Sequence, residues 1–130
     1  MKTSFELKAT FPVSPEELYN AWLDGKQHSK MTGGDANGSA IEGGKFTAWE
    51  GYIWGMNKTL TPHSEIVQSW RTSEFKETDE DSLLILHFKE VPGGCELTLA
   101  HSSIPEGQPN YEQGWQEHYI TPMQEYFKNK

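Results

Sequence analysis

Five tryptophans and five histidines are the side chains in this chain that could bind or react. Trp49, Trp54, Trp70 and Trp115 form one constellation. Set around a cavity, their rings would make an aromatic wall for an apolar ligand. Set against one another, they would simply fill a core, as aromatics commonly do, each burying about 150–250 Å². Both readings stand together where a cavity wall is built from core residues. His101 is the second candidate. It falls at the end of an apolar strand and faces inward, either as a polar anchor or acid/base group tuned by burial, or as a core-edge histidine bonded to backbone. The pattern favours the structural role, because no Asp or Glu is placed beside it. The remaining candidate is Tyr119, whose hydroxyl could orient a ligand. The predicted site is therefore Trp49, Trp70, His101, Trp115 and Tyr119, lying between a sheet and the C-terminal helix.

Other chemistries lack their residues. His28, His63, His87 and His118 are scattered, and there is no HExxH or short His pair, so no metal is expected. Gly43-Gly44 precedes a strand rather than a helix and reads as a turn, not a phosphate loop. There is no GxSxG, and Cys95 sits beside a turn without an evident His partner. A binding module is expected rather than an enzyme, with no cofactor. The net charge of −8 argues against nucleic acid and anionic membrane surfaces, which need clustered Lys and Arg. No apolar run approaches bilayer length, the N-terminus alternates from the outset, and a lone cysteine allows no internal disulfide. These features predict a cytoplasmic protein.

The elements that must position these residues are readable. At 130 residues the chain is expected to form one domain, residues 1–130, burying roughly two-thirds of its unfolded surface. Thr3, Phe5, Leu7, Ala9 and Phe11 alternate with polar residues as in a half-buried strand. Ser14-Pro-Glu-Glu17 supplies an N-cap, a first-turn proline and a capping-box glutamate, with Val13 and Leu18 as the hydrophobic staple. Gly25 is the expected stop of that helix, and 26–31 reads as a second short one. Residues 33–44 read as loop, with Ser39-Ala-Ile-Glu42 as a candidate short strand. Strands follow near 45–50, 52–61, 65–72, 82–91 and 95–102, spaced for antiparallel hairpins.

Residues 110–127 predict a long terminal helix. Trp115, Tyr119, Met123, Tyr126 and Phe127 share one face. Gly114 predicts a bald turn lying close against another surface, and Pro122 predicts a bend or break over 118–122. If Gly93-Gly94 forms the turn between the last two strands, Phe88 pairs with Leu99 and Leu86 with His101, leaving His87 on the outer face. Segregated strands and helices of this kind indicate α+β.

The order β–α–α, β-meander, α resembles the helix-grip fold of the START-like (SRPBCC) superfamily. More narrowly, the chain resembles the C-terminal domain of activators of the heat-shock-protein-90 ATPase. The residues that carry this are Phe11-Pro-Val-Ser-Pro-Glu-Glu-Leu-Tyr-Asn-Ala-Trp22, Met31-Thr-Gly33, Gly43-Gly-Lys-Phe46, Glu50-Gly-Tyr52, Gly55, Ile66-Val-Gln-Ser-Trp-Arg71, Leu97-Thr-Leu-Ala-His101, Ile104-Pro105 and Gly114-Trp115 through Tyr119. The resemblance implies a strongly bent antiparallel sheet wrapped around the C-terminal helix, usually with a cavity between them. It also implies a co-chaperone that docks on a heat-shock-protein-90-type chaperone and stimulates ATP hydrolysis there. In the eukaryotic activators a further N-terminal domain supplies much of that contact. The superfamily's fold also serves small hydrophobic ligands, hydrolysis and cyclisation, so fold alone does not fix function.

Overall fold

The computed structural model describes residues 2–128. Its architecture is α+β: one six-stranded antiparallel sheet, curled around an 18-residue C-terminal helix. In chain order the elements are β1 (Thr3–Phe11), α1 (Pro15–Leu23), α2 (Gly25–Thr32), β2 (Lys45–Ala48), β3 (Ile53–Thr61), β4 (Glu65–Thr72), β5 (Ser82–Val91) and β6 (Gly94–Ile104). The sheet order is β1-β6-β5-β4-β3-β2, so every neighbour but one follows directly in sequence.

α1 starts where its cap dictates. The Ser14 hydroxyl accepts from Glu17 N at 3.1 Å, and Pro15 occupies the first turn. Asp24 then ends α1 and caps α2, accepting from Lys26 N at 3.1 Å, so Gly25 opens the second helix instead of closing the first. A side chain at Gly25 would collide with the backbone of 36–38. Ser39–Glu42 forms no strand; the loop meets the sheet through the bridge Asn37–Thr47 and through backbone bonds of Gly43 and Gly44 to Asn57.

The β5–β6 hairpin turns one residue earlier than the sequence suggested. Val91 pairs with Gly94, leaving Pro92-Gly93 as the turn, with Gly93 at φ +87°. Proline presets the first turn position, and glycine takes the left-handed second one. Phe88 therefore pairs with Leu97, Leu86 with Leu99 and Leu84 with His101. The shift is two residues, so every side chain keeps its expected face. Leu84, Leu86, Phe88, Leu97, Leu99 and His101 are buried, and His87 is exposed, bridged to Glu65 at 3.2 Å.

The C-terminal helix has three parts: α3 (Tyr111–Trp115), a π turn (Gln116–Ile120) and α4 (Thr121–Lys128). Thr121 N–H bonds to the Gln116 carbonyl, five residues back. The regular ladder is thus interrupted just ahead of Pro122, where a wider turn relieves the clash between the proline ring and the carbonyl four residues earlier. Tyr111, Trp115, Tyr119, Met123 and Phe127 are all buried.

Candidate functional site: an aromatic cleft over a locked polar core

A cleft of about 630 Å³ opens between the first half of the C-terminal helix and the β2–β4 end of the sheet. Trp49, Tyr52, Trp70, Tyr111, Trp115 and Tyr119 give it six aromatic linings, with Glu50 and Glu117 among its polar ones. Trp70 comes from the C-terminal half of β4, where alternation points it inward, and it meets Trp115 at 5.7 Å and Tyr111 at 4.9 Å between ring centroids. Trp115 in turn meets Tyr119 at 4.5 Å. Gly114 also borders the cleft, and a Cβ built there meets nothing within 4 Å. The close approach expected at Gly114 is therefore absent, and the bald turn faces open space.

Trp49 reaches the cleft by unusual backbone. The strand expected over 45–50 ends at Ala48, because Trp49 and Glu50 both adopt left-handed conformations, φ +52° and +55°. Such a conformation costs a non-glycine residue about 1–3 kcal/mol, and here surrounding contacts hold it. Glu50 N donates to the Asp35 carbonyl, and the Glu50 carboxylate accepts from Asp35 N. The Trp49 ring lies over Gly34, where a Cβ would come within 2.4 Å of the indole. Its centroid lies 5.6 Å from that of the His118 ring, the two rings steeply inclined. The Trp49 indole N–H is buried and closes no hydrogen bond among the described residues.

His101 does not line the cleft. It lies behind the wall, fully buried, 4.5 Å from Trp70 and 5.9 Å from Trp115 between ring centroids. Its Nδ1 accepts from Trp115 Nε1 at 3.0 Å, and its Nε2 meets Ser82 Oγ at 2.8 Å. An indole nitrogen can only donate. Nδ1 is therefore unprotonated, Nε2 carries the proton and donates it to Ser82, and Ser82 donates to the Trp70 carbonyl at 2.6 Å. Burial pushes the His101 pKa down to about 3.

The Ser82–His101 pair has the composition of a nucleophile–base dyad, but its proton runs the wrong way: the histidine gives to the serine. No carboxylate orients the ring, and both residues are closed to solvent. Cys95 is also fully buried, and burial raises its thiol pKa, which holds it in the unreactive form.

His28, on α2, is a second locked histidine. Its Nδ1 donates to the Trp22 carbonyl at 2.9 Å, which leaves Nε2 to accept from the Tyr119 hydroxyl at 3.1 Å. Burial lowers its pKa, partly opposed by that backbone bond. The Tyr119 proton is thus committed inside the fold, and burial raises its pKa. A third relay runs from Trp22 Nε1 to Gln68 Oε1 at 3.3 Å, from Gln68 to Asn57 at 2.8 Å, and from Asn57 to the carbonyls of Ser39 and Ile41.

Of the five residues expected at the site, the structure brings Trp49, Trp70, Trp115 and Tyr119 to the cleft and sets His101 beneath it. Tyr52, Tyr111, Glu50 and Glu117 were not anticipated. Glu50-Gly-Tyr52 beside Trp49, and Tyr111 one turn before Trp115, were the signals that could have found them. Among the described residues no group of three or more His, Cys, Asp or Glu could hold a metal, and no helix is long and apolar enough to cross a membrane.

A curled antiparallel sheet gripping a C-terminal helix over an aromatic cleft defines a helix-grip domain. The chain belongs to the family described as Activator of Hsp90 ATPase homolog 1-like protein, whose model matches residues 12–128. It is 32% identical over 122 residues to human activator of 90 kDa heat shock protein ATPase homolog 1, covering 93% of this chain and 36% of the human protein. It is 28% identical over 125 residues to the corresponding homolog of Dictyostelium discoideum, covering 95% of this chain and 33% of that one. The chain thus spans about a third of the length of these relatives. Among solved structures, an HSP90 activator from Plasmodium falciparum superposes with a TM-score of 0.80 at 27% identity, covering 91% of each chain.

Proposed function

We propose that this domain is a non-enzymatic binding module that docks on a heat-shock-protein-90-type chaperone and raises that partner's ATPase rate. The observation that carries the reading is the family match over residues 12–128, with activator homologs aligned to more than nine-tenths of the chain. The site chemistry is consistent with it. Both buried histidines are fixed as neutral structural bases, and the serine beside His101 is not activated. The charge of −8 suits a partner with a basic docking surface, and such attraction weakens with salt as the Debye length falls from about 10 Å at 0.1 M to about 3 Å at 1 M. The test adds the purified domain to the heat-shock ATPase of its own organism at low and high salt. Stimulation that salt suppresses is expected. Absence of both binding and stimulation, with turnover of a small ester by the domain alone, would overturn the proposal.

The cleft favours a second reading, the binding of a small, largely apolar molecule. Its volume of about 630 Å³ lies within the roughly 300–1,000 Å³ of ligand pockets. Mass spectrometry of small molecules that co-purify with the native protein tests this. Chemical-shift changes confined to the outer face of the sheet, on screening fatty acids and aromatics, would sink it.

A further inference from the structure

The composition of the cleft specifies its occupant more narrowly. Its lining carries no Lys or Arg among the described residues, and its formal charges are Glu50 and Glu117. Both side chains are exposed at the mouth. Each holds a neutral partner: Glu50 the Asp35 amide, and Glu117 the Gln113 side-chain amide at 2.9 Å. The ion pairs of the described residues lie elsewhere. Behind these carboxylates stand Trp49, Tyr52, Trp70, Tyr111 and Trp115. The Trp70 and Tyr111 rings stand 80° apart, and Trp70 and Trp115 41° apart, so the ring faces and edges point in several directions.

An aromatic ring offers a negative face to a cation, and several rings around one site are a known means of holding alkylated ammonium groups. A neutral apolar ligand would gain nothing from two carboxylates that lack a cationic partner among the described residues, and an anionic one would be repelled by them. The N-terminus of the C-terminal helix opposes this with roughly half a unit charge, against two full negative charges.

We propose that the cleft is a receptor for an organic cation, an alkylated ammonium group seated against the rings with Glu50 and Glu117 at its mouth. The inference rests on the reading of the cleft as a binding site and deepens it. The cationic group can arrive on a free small molecule or on a lysine side chain of a protein.

The experiment follows the tryptophan indole N–H resonances during titration with three probes: choline, its neutral isostere with carbon in place of the quaternary nitrogen, and a short peptide bearing trimethyllysine. Choline is expected to bind about tenfold or more tightly than the isostere, the scale of a partly desolvated cation–π contribution, with the Trp49 and Trp70 signals moving. Tighter binding of the peptide than of choline assigns the cation to a protein side chain, and the reverse order assigns it to a free molecule. The Glu50→Gln/Glu117→Gln double variant keeps both acceptor oxygens and should bring choline and the isostere to near parity. Equal binding of choline and isostere by the unmodified protein overturns the cation inference while leaving the cleft a binding site. Failure of all three probes to move the indoles overturns the cation inference, and failure of fatty acids and aromatics to move them as well overturns the cleft as a binding site.

Discussion

The two halves of the C-terminal helix do different work with similar side chains. The first half, from Tyr111 to Ile120, places its rings beside a cleft and ties them to buried histidines, Trp115 to His101 and Tyr119 to His28. The second half places Met123 and Phe127 in the apolar core, where Phe127 meets Phe11 edge-on at 6.2 Å between ring centroids. Burial is nearly complete in both. The difference lies in what each burial is coupled to, which is hydrogen bonds to buried histidines and open space in one half, and a packed apolar core in the other. A binding surface built in this way borrows the rigidity of the core while keeping one side empty.

Truncation should separate the halves. Trp115→Ala removes the largest buried ring of the helix and leaves His101 Nδ1 without its donor, so denaturant unfolding is expected to show a loss of about 3–5 kcal/mol together with collapse of the cleft. A loss under about 1 kcal/mol would contradict the grip of sheet on helix. Met123→Ala should cost about 2–4 kcal/mol through its cavity alone, while the indole resonances of Trp49 and Trp70 stay where they were. If those signals move as much as in Trp115→Ala, the halves are not independent.

Acid should discriminate between them next. Unfolded, His101 takes a proton as pH falls through its ordinary value of about 6.5, but in the fold it resists protonation down to about 3. The unfolded state therefore binds more protons across that window, and stability falls with falling pH by about 1.4 kcal/mol per pH unit for this histidine. His28, also held below its ordinary value, acts with the same sign. His101→Gln should flatten the slope. Near pH 5, amides of 111–120 should exchange before those of α4.

The smallest effect has the opposite sign. Gly114→Ala adds a methyl where nothing lies within 4 Å, so the helix should gain about 0.5–1 kcal/mol while the cleft loses room. Higher thermal stability with weaker probe binding would sharpen the contrast, and a destabilised variant would break it.

What the sequence conveyed follows the range of the interactions involved. The α1 cap, the alternation in β1, β5 and β6, and the aromatic face of the terminal helix are local, and they are where they were expected. The hairpin register slipped by two because Pro92-Gly93 competes with Gly93-Gly94 as a turn, and parity protected the faces. The partners of the histidines were invisible, since Ser82 lies 19 residues from His101 and Tyr119 lies 91 residues from His28. The left-handed pair Trp49-Glu50 carries no local signature; it exists because Gly34 leaves room for the indole and Asp35 holds Glu50.

The π turn has a consequence for phase. Tyr111, Trp115, Tyr119, Met123 and Phe127 recur at strict steps of four, yet a regular α-helix of 3.6 residues per turn advances each such step by about 40°, or about 160° over the series. Tyr111 and Phe127 would then point to nearly opposite sides. The turn at Gln116–Ile120 closes on the fifth residue back, absorbing one extra residue, worth about 100° of rotation. It acts as a vernier that returns the series toward one face. Deleting a single residue from 116–120 would remove the surplus that the turn absorbs, so the segment should close as a regular α-helix with Met123 and Phe127 still in line with Trp115, whereas regularising the turn at full length would swing them out of line.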